Sequence, residues 1–96
     1  MFASVVAWTF KPGSADEVRR RNLDMLIPEV TRAPGFRQYY AIRSGPDAYV
    51  TVIFYDDRER AEAALQHLTP LIREQQGHLL AGMERYAGEV EVAEPR

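Results

Sequence analysis

The chain has 96 residues, of which 46% are hydrophobic and none is cysteine, and its formal net charge at pH 7 is −2. This length and apolar content predict one folded domain over residues 1–96. The lack of cysteine excludes disulfides and thiolate metal sites and favours a cytoplasmic location, while the acidic balance argues against a nucleic acid partner. The start lacks the basic region of a signal peptide, and no apolar run is long enough for a membrane span.

The first strand is predicted over residues 2–10, and one of its faces carries Phe2, Val6, Trp8 and Phe10. A turn at 11–13 follows it. Ser14 is then predicted to be the N-cap of a helix, and Glu17, three residues later, would complete a capping box with it.

The helix that begins after Ser14 is predicted to run to Arg32. Pro28 lies inside it and is expected to bend it or to loosen one turn, because proline has no backbone N–H. Pro34 discourages further helix, and Gly35 can adopt the left-handed conformation that commonly ends one. The chain therefore turns sharply at this point.

Two strands are predicted over 36–43 and 48–55, joined by a hairpin turn at 44–47. In the first of them, Phe36, Tyr40 and Ile42 are expected to share one face. The second strand, "AYVTVIFY", is apolar or aromatic on both faces.

A second helix is predicted to begin after Asp56 as N-cap, with a possible break and restart at Thr69-Pro70. Gly82 is expected to end it, and a last strand is predicted over 84–93. The order β-α-β-β-α-β indicates an α+β, ferredoxin-like fold, in which a four-stranded antiparallel sheet has both helices on one face.

The other face of this sheet must also be covered. An antiparallel sheet with one wet face alternates polar and apolar residues, and the strands at 2–10 and 48–55 do not. Two helices cannot cover both sides, so we expect a homodimer in which two sheets pack together. The alternative is a monomer with aromatic residues on its surface.

The order of elements, "KPG" after the first strand, "PGF" after the first helix and the "ERYAGEVEV" ending resemble the dimeric α+β barrel superfamily. The branch that they resemble is the one named for antibiotic biosynthesis monooxygenases. This resemblance implies two sheets paired into a dimeric barrel. It also implies a range of functions, which includes cofactor-independent quinone-forming monooxygenases, haem-degrading monooxygenases and stress-response proteins.

Five residues are candidates for a site. Asn22 falls within the apolar stripe of the first helix, so its amide either orients a substrate or is satisfied structurally. His67, in "HLTP", resembles a histidine motif of relatives. Trp8 faces the helices in the family register and would form a pocket wall with Phe54, or else belongs to the core. Tyr55 stands where many relatives carry tryptophan. Asn22 and His67 are therefore the catalytic candidates, and the other three are candidates for substrate binding.

No metal and no cofactor are predicted. His67 and His78 are separated by about 16 Å on an unbroken helix, so they cannot share an ion. The haem-degrading branch carries an asparagine where Val6 stands and a tryptophan that the second helix lacks, which disfavours haem degradation.

The resemblance leads to two main functional hypotheses. The first is a cofactor-independent monooxygenase that holds a small aromatic or polycyclic substrate between helices and sheet. The second is a non-catalytic dimeric module that binds a small ligand or serves in a stress response.

Overall fold

A computed structural model describes residues 1–95 of the chain. The strands are β1 (Phe2–Phe10), β2 (Phe36–Gly45), β3 (Ala48–Tyr55) and β4 (Leu80–Glu89); the helical segments are α1 (Ala15–Arg21), a π-helical turn (Asn22–Leu26), α2 (Ile27–Arg32), α3 (Arg58–Gln76) and a 3₁₀ turn (Gly77–Leu79). The sheet is antiparallel, with strand order β2-β3-β1-β4. This confirms the predicted ferredoxin-like fold. None of the helices in residues 1–95 is both long and apolar enough to cross a membrane.

The helix-facing side of the sheet carries two separate clusters of buried side chains. Near one end of β1, Phe2 and Tyr55 pack with residues of α2 and α3. Near the other end, Phe10 and Tyr49 pack with Val18 of α1. Burial of these apolar surfaces stabilises the two ends of the helix–sheet layer. The space between the clusters is not filled.

The capping box predicted at Ser14 does not form. The Ser14 hydroxyl donates to the carbonyl of Lys11 at 2.6 Å, and the Glu17 carboxylate accepts from Arg21 instead. The first free N–H of the helix, at Ala15, donates to Asp47 Oδ1 at 3.2 Å. The hairpin between β2 and β3 therefore supplies the cap from a residue far away in sequence.

Pro28 loosens the helix as predicted. The N–H of Ile27 bonds to the carbonyl of Asn22, five residues back, in the wide turn Asn22–Leu26. Pro28 follows directly inside α2 and has no N–H to give. Wide turns of this kind are rare and often lie at functional sites.

The second helix differs from the prediction at its start and in its middle. Its N-cap is Asp57, whose carboxylate accepts from the N–H of Arg60 at 2.8 Å, whereas Asp56 lies 3.6 Å from Arg37. The helix continues through Pro70 without a break. One missing hydrogen bond is outweighed there, because Leu68 is buried and neighbouring apolar residues pack on the core.

The last strand lies four residues earlier than predicted, over Leu80–Glu89. It pairs with β1 along the whole of that strand, from Phe10 at one end to Phe2 at the other, so β1 sets its length. Gly82 therefore lies inside the strand and does not end a helix. A register shift between Phe36 and Gln38 also places Phe36 on the helix side, with the core, and not with Tyr40 as predicted.

The face of the sheet away from the helices, here called the open face, is apolar. A row of paired residues crosses all four strands on it: Tyr40, Val52, Val5 and Tyr86. Tyr86 is 63% exposed, and no element of residues 1–95 covers this row. Coverage by a second copy stays a prediction.

We predict that Gly35→Ala destabilises the chain more than Gly13→Ala does. Both glycines have a left-handed backbone, with φ of +78° and +82°, so each replacement should cost about 1 kcal/mol of unfolding free energy. A Cβ at Gly35 would also stand 2.6 Å from Arg60 Cγ, whereas nothing lies within 4 Å at Gly13. Denaturant unfolding of both variants measures the difference. Arg60→Ala added to Gly35→Ala removes the contact with Cγ but keeps the one with Arg60 Cβ at 2.8 Å, so it should reduce the difference only in part. Equal costs for the two single variants would contradict the prediction.

Candidate functional site

A cavity of about 440 Å³, here the first cavity, lies between the sheet and the segment from α1 to α2. Its walls are mostly apolar and aromatic, and Trp8, Tyr49 and Leu26 are among them. The polar groups in the wall include those of Asn22, Gln76 and Thr51 and of the charged residues Asp16, Arg19 and Arg43. Ligand sites in proteins commonly have this composition, because the apolar wall supplies affinity and the polar groups fix orientation.

A second cavity, of about 360 Å³, lies between α3 and strands β1, β3 and β4. It shares five lining residues with the first cavity: Trp8, Thr51, Ile53, Leu68 and Ile72. Trp8 thus stands between the two spaces, as one wall of each.

Trp8 is held in place by two contacts. Its Nε1–H donates to Thr51 Oγ1 at 2.9 Å, and its ring lies nearly parallel to that of Phe10, with centroids 6.2 Å apart. The prediction that Trp8 faces the helices agrees with this placement. The indole N–H is therefore used inside the protein and is not free for a ligand.

Phe54 does not form a wall with Trp8. Phe54 pairs with Ala3, and it lies on the open face, where it meets Tyr40 edge to face at 6.4 Å. Successive residues of a strand point to opposite faces, so its neighbours Ile53 and Tyr55 face the helices while Phe54 faces away. Phe54 is therefore not part of either cavity.

Tyr55 is 2% exposed, and it lies both in the core and in the wall of the second cavity. Burial raises the pKa of its phenol, while the nearby charge of Arg85 opposes that rise. Tyr39, in the wall of the first cavity, also has a pKa raised by burial. Both tyrosines are neutral at ordinary pH.

Asn22 lies in the wall of the first cavity, at the start of the wide turn. Its side-chain oxygen accepts a hydrogen bond from Gln76 Nε2, across 54 positions of sequence. Gln76 is buried, at 3% exposure. The sequence offered two interpretations of this amide, a role in orienting a substrate and a structural role. The hydrogen bond supports the structural role, and its partner is a side chain on α3.

His67 lies in neither cavity. Its side chain is 59% exposed and its Nε2 is 3.0 Å from Glu29 Oε2, so it connects α2 with α3 on the outer surface. The hydrogen bond with His67 lowers the pKa of Glu29. His78 is exposed as well. Within residues 1–95 no group of three histidine or acidic side chains could hold a metal ion, and metal independence stays a prediction.

Two polar residues at the cavities were not singled out from the sequence. Tyr49 lines the first cavity and Arg85 lines the second, and the Tyr49 hydroxyl and the Arg85 Nε are buried without a hydrogen-bond partner within residues 1–95. The sequence does carry a signal for Arg85, since it is a charge at a helix-facing position of a strand. Nothing local indicates that the Tyr49 hydroxyl lacks a partner.

The comparisons with known proteins agree with this fold. A profile of the family described as antibiotic biosynthesis monooxygenase matches residues 1–85. A protein of unknown function from Nitrosomonas europaea has a similar structure, with a TM-score of 0.83 and 18% identity, over 99% of this chain and 93% of that one. No curated protein matches the chain.

Two further solved structures are of proteins with a stated chemistry. A variant of SnoaB, a cofactor-independent oxygenase from Streptomyces nogalater, gives a TM-score of 0.75 at 19% identity, over 99% of this chain and 97% of that one. A variant of MhuD, with two manganese protoporphyrin IX bound per active site, gives 0.76 at 20% identity over the whole of both chains. At these identities the likeness shows the fold alone.

We predict that Asn22→Leu lowers the unfolding free energy by about 1–3 kcal/mol, because it leaves the buried amide of Gln76 without its acceptor. Adding Gln76→Leu should recover much of that loss, since both polar partners are then gone. Thermal unfolding of the wild type, both single variants and the double variant completes the cycle. Additive losses, or an unchanged melting temperature in Asn22→Leu, would contradict a structural role.

We also predict a loss of stability at alkaline pH that depends on Tyr39 and Tyr55. Their native pKa values are raised above the ordinary value of 10.0, so the native state holds these protons more tightly than the unfolded state does. Their stabilising contribution is therefore complete below about pH 10 and is lost as the pH rises through the native pKa. Melting temperatures should fall less steeply with pH in Tyr39→Phe/Tyr55→Phe than in the wild type. Parallel curves for the two would refute the prediction.

Proposed function

The chain belongs to the antibiotic biosynthesis monooxygenase family, and from this premise we propose that it is a cofactor-independent monooxygenase that oxidises a small hydroxylated aromatic compound in the first cavity. The observation that carries the proposal is the buried hydroxyl of Tyr49, which has no partner within residues 1–95 and stands in an aromatic wall. The proposed partner of this hydroxyl is a substrate oxygen.

The proposed reaction inserts one oxygen atom of O₂ into the substrate. A phenol with a free para carbon gains a carbonyl oxygen at that carbon, and the second oxygen atom leaves as water with the two hydrogens that the ring loses. The electrons come from the ring itself. The protein is required only to hold the ring, to exclude water and to favour the phenolate, which is the form that reacts with O₂.

Two of these tasks, holding the ring and favouring the phenolate, have candidate residues in the first cavity. Trp8 and Phe10 offer flat aromatic surfaces against which a ring can pack. The Tyr49 hydroxyl would donate a hydrogen bond to the phenolate oxygen and stabilise its charge. Arg43, whose guanidinium lies 5.8 Å from the centre of the Tyr49 ring, adds a positive charge on the same side.

Haem chemistry does not fit these residues. Neither His67 nor His78 is in the wall of either cavity, so no histidine of the described cavity walls would bind iron. No step is therefore assigned to a porphyrin.

A second candidate function is a dimeric module that binds a small ligand without catalysis. The observation that favours it is the engagement of Asn22 with Gln76, because a catalytic amide would be expected to face the substrate. A ligand-binding role requires only the apolar cavity. A cytoplasmic location stays a prediction from the cysteine-free sequence.

We predict that the protein converts 1,5-dihydroxynaphthalene and O₂ to the hydroxynaphthoquinone, with one oxygen atom of the product derived from O₂. Tyr49→Phe should reduce the rate by about 10- to 100-fold with little loss of stability, since its hydroxyl has no internal partner to lose. Arg20→Gln, on the exposed side of α1 and outside both cavities, is the control and should retain the wild-type rate. Isotope-labelled O₂ and mass spectrometry of the product measure both results.

The outcomes separate the two candidate functions. Turnover that Tyr49→Phe leaves unchanged would remove Tyr49 from the mechanism. No turnover above the uncatalysed rate, together with saturable binding of the naphthol, would favour the non-catalytic module.

We further propose that the open face joins two copies of the chain into a homodimer. The support is the apolar row Tyr40, Val52, Val5 and Tyr86, because a patch of this kind is seldom left in water by a monomer. Burial of such a row from two copies is favourable and produces closed symmetry.

Light scattering at micromolar concentration is predicted to give about twice the chain mass of 11.0 kDa. Val52→Glu, which places a charge in the middle of the row, should shift the mass toward that of one chain. Ala63→Glu, on the exposed side of α3, should leave the mass unchanged. A wild-type monomer at this concentration would end the proposal.

A further inference from the structure

The second cavity has a positive charge that the protein leaves without a counter-charge. Arg85 and Arg73 are both in its wall, and no aspartate or glutamate is. Within residues 1–95 neither arginine forms an ion pair. This is notable in a chain whose formal net charge is −2, because carboxylates are in excess elsewhere.

Arg85 is the more informative of the two. It faces the helices from β4, directly opposite Val6 in the sheet register, and its Nε is fully buried without a hydrogen-bond partner in residues 1–95. A buried donor of a charged group that stays unpaired is costly, so a partner from outside these residues is expected. The Nε–H is one half of the side-on fork with which a guanidinium binds a carboxylate.

Arg43, in the wall of the first cavity, differs from Arg85 because it has partners in the protein. It lies 3.8 Å from Asp16 and donates to the backbone carbonyls of Gly45 and Pro46. Two of the three guanidinium nitrogens of Arg43 thus donate to the protein, and the third lies near a carboxylate. Arg19, also in the wall of the first cavity, forms no ion pair within residues 1–95, but it is exposed on α1 and can be hydrated. A buried, unpaired donor of a charged group is therefore found in the wall of the second cavity and not in that of the first, within the described residues.

The remainder of the second cavity defines the body of the ligand. Its wall includes Val6, Ile53, Leu65, Leu68, Ile72 and Leu80, all of them apolar. A free inorganic anion would leave this wall empty, and a wholly apolar molecule would leave the Arg85 donor unpaired. A molecule with an apolar body and one planar carboxylate satisfies both.

We propose that the second cavity is a binding site for an apolar carboxylic acid, with the carboxylate held by Arg85 and the apolar body enclosed between α3 and the sheet. Arg73, exposed on the last turns of α3, adds positive charge at the same cavity. The site does not depend on the oxygenase chemistry proposed for the first cavity. It would take a ligand or co-substrate of its own.

The test is calorimetric titration with adamantane-1-carboxylate and with its uncharged isostere adamantane-1-carboxamide. The two have the same body and differ in the charge of the head group, so the ratio of their affinities isolates the anion. The carboxylate should bind about tenfold or more tightly than the amide in the wild type, as expected of charge-assisted hydrogen bonds. The emission of Trp8, the one tryptophan of the chain and a wall of the second cavity, should change on binding.

Three variants test whether Arg85 supplies the positive charge that binds the carboxylate. Arg85→Gln should abolish the preference for the carboxylate, while Arg85→Lys, which keeps the charge and loses the fork, should retain part of it. Arg20→Gln is the matched control, because Arg20 is exposed on α1 and lies in neither cavity, and it should bind as the wild type does. Circular dichroism and light scattering establish that each variant folds and assembles as the wild type does.

Several results would overturn the proposal. One is equal affinity for carboxylate and amide in the wild type, which needs no variant to fold. Another is a preference that survives in Arg85→Gln or that disappears in Arg43→Gln, since the anion would then lie in the first cavity. A third is a change in oligomeric mass in Arg85→Gln with the preference intact, which would make Arg85 an assembly contact. None of these results depends on turnover, so the proposal and the oxygenase function fail separately.

Discussion

The register between β1 and β3 is the constraint on which the functional features of this chain depend. It places Trp8 opposite Tyr49 and Val6 opposite Thr51, so that Trp8 can bond to Thr51 across the strands on the helix side. A shift by one residue would turn these side chains to the open face and bring Phe54 inward. The register is specified strongly because Phe2 and Phe10, at the two ends of β1, are both buried in clusters that only this pairing assembles.

The same two clusters explain why there is space for a ligand. Each closes one end of the helix–sheet layer, and the middle is bounded by the wide turn that begins at Asn22 and by the partner of Asn22 on α3, Gln76. This polar bridge costs less than an unpaired amide would, and it joins two helical segments without filling the space between them. The packing contacts are thus concentrated at the two ends of the helix–sheet layer, and the space in its middle can hold a ligand.

The two cavities form two regions of the interior, which differ in how their charged groups are paired. In the first cavity Arg43 lies near Asp16 and donates to backbone carbonyls, and the groups proposed to meet a ligand there are aromatic surfaces and the Tyr49 hydroxyl. In the second, the donor of Arg85 is buried and unused within the described residues. Trp8 stands between the regions, so a change at this one side chain would affect both.

What the sequence by itself determined is the order of elements, the turn at Gly35, the loosening near Pro28 and the apolar third strand, because each depends on residues close together in the chain. From these the fold class followed. Only the tertiary structure decided which groups meet: Asp47 caps α1, Gln76 donates a hydrogen bond to Asn22, and Phe54 lies away from Trp8. The reason is that such contacts depend on strand register and on the packing of distant segments. Whether a hydroxyl or a guanidinium is left unpaired is a property of the assembled interior, and no local pattern encodes it.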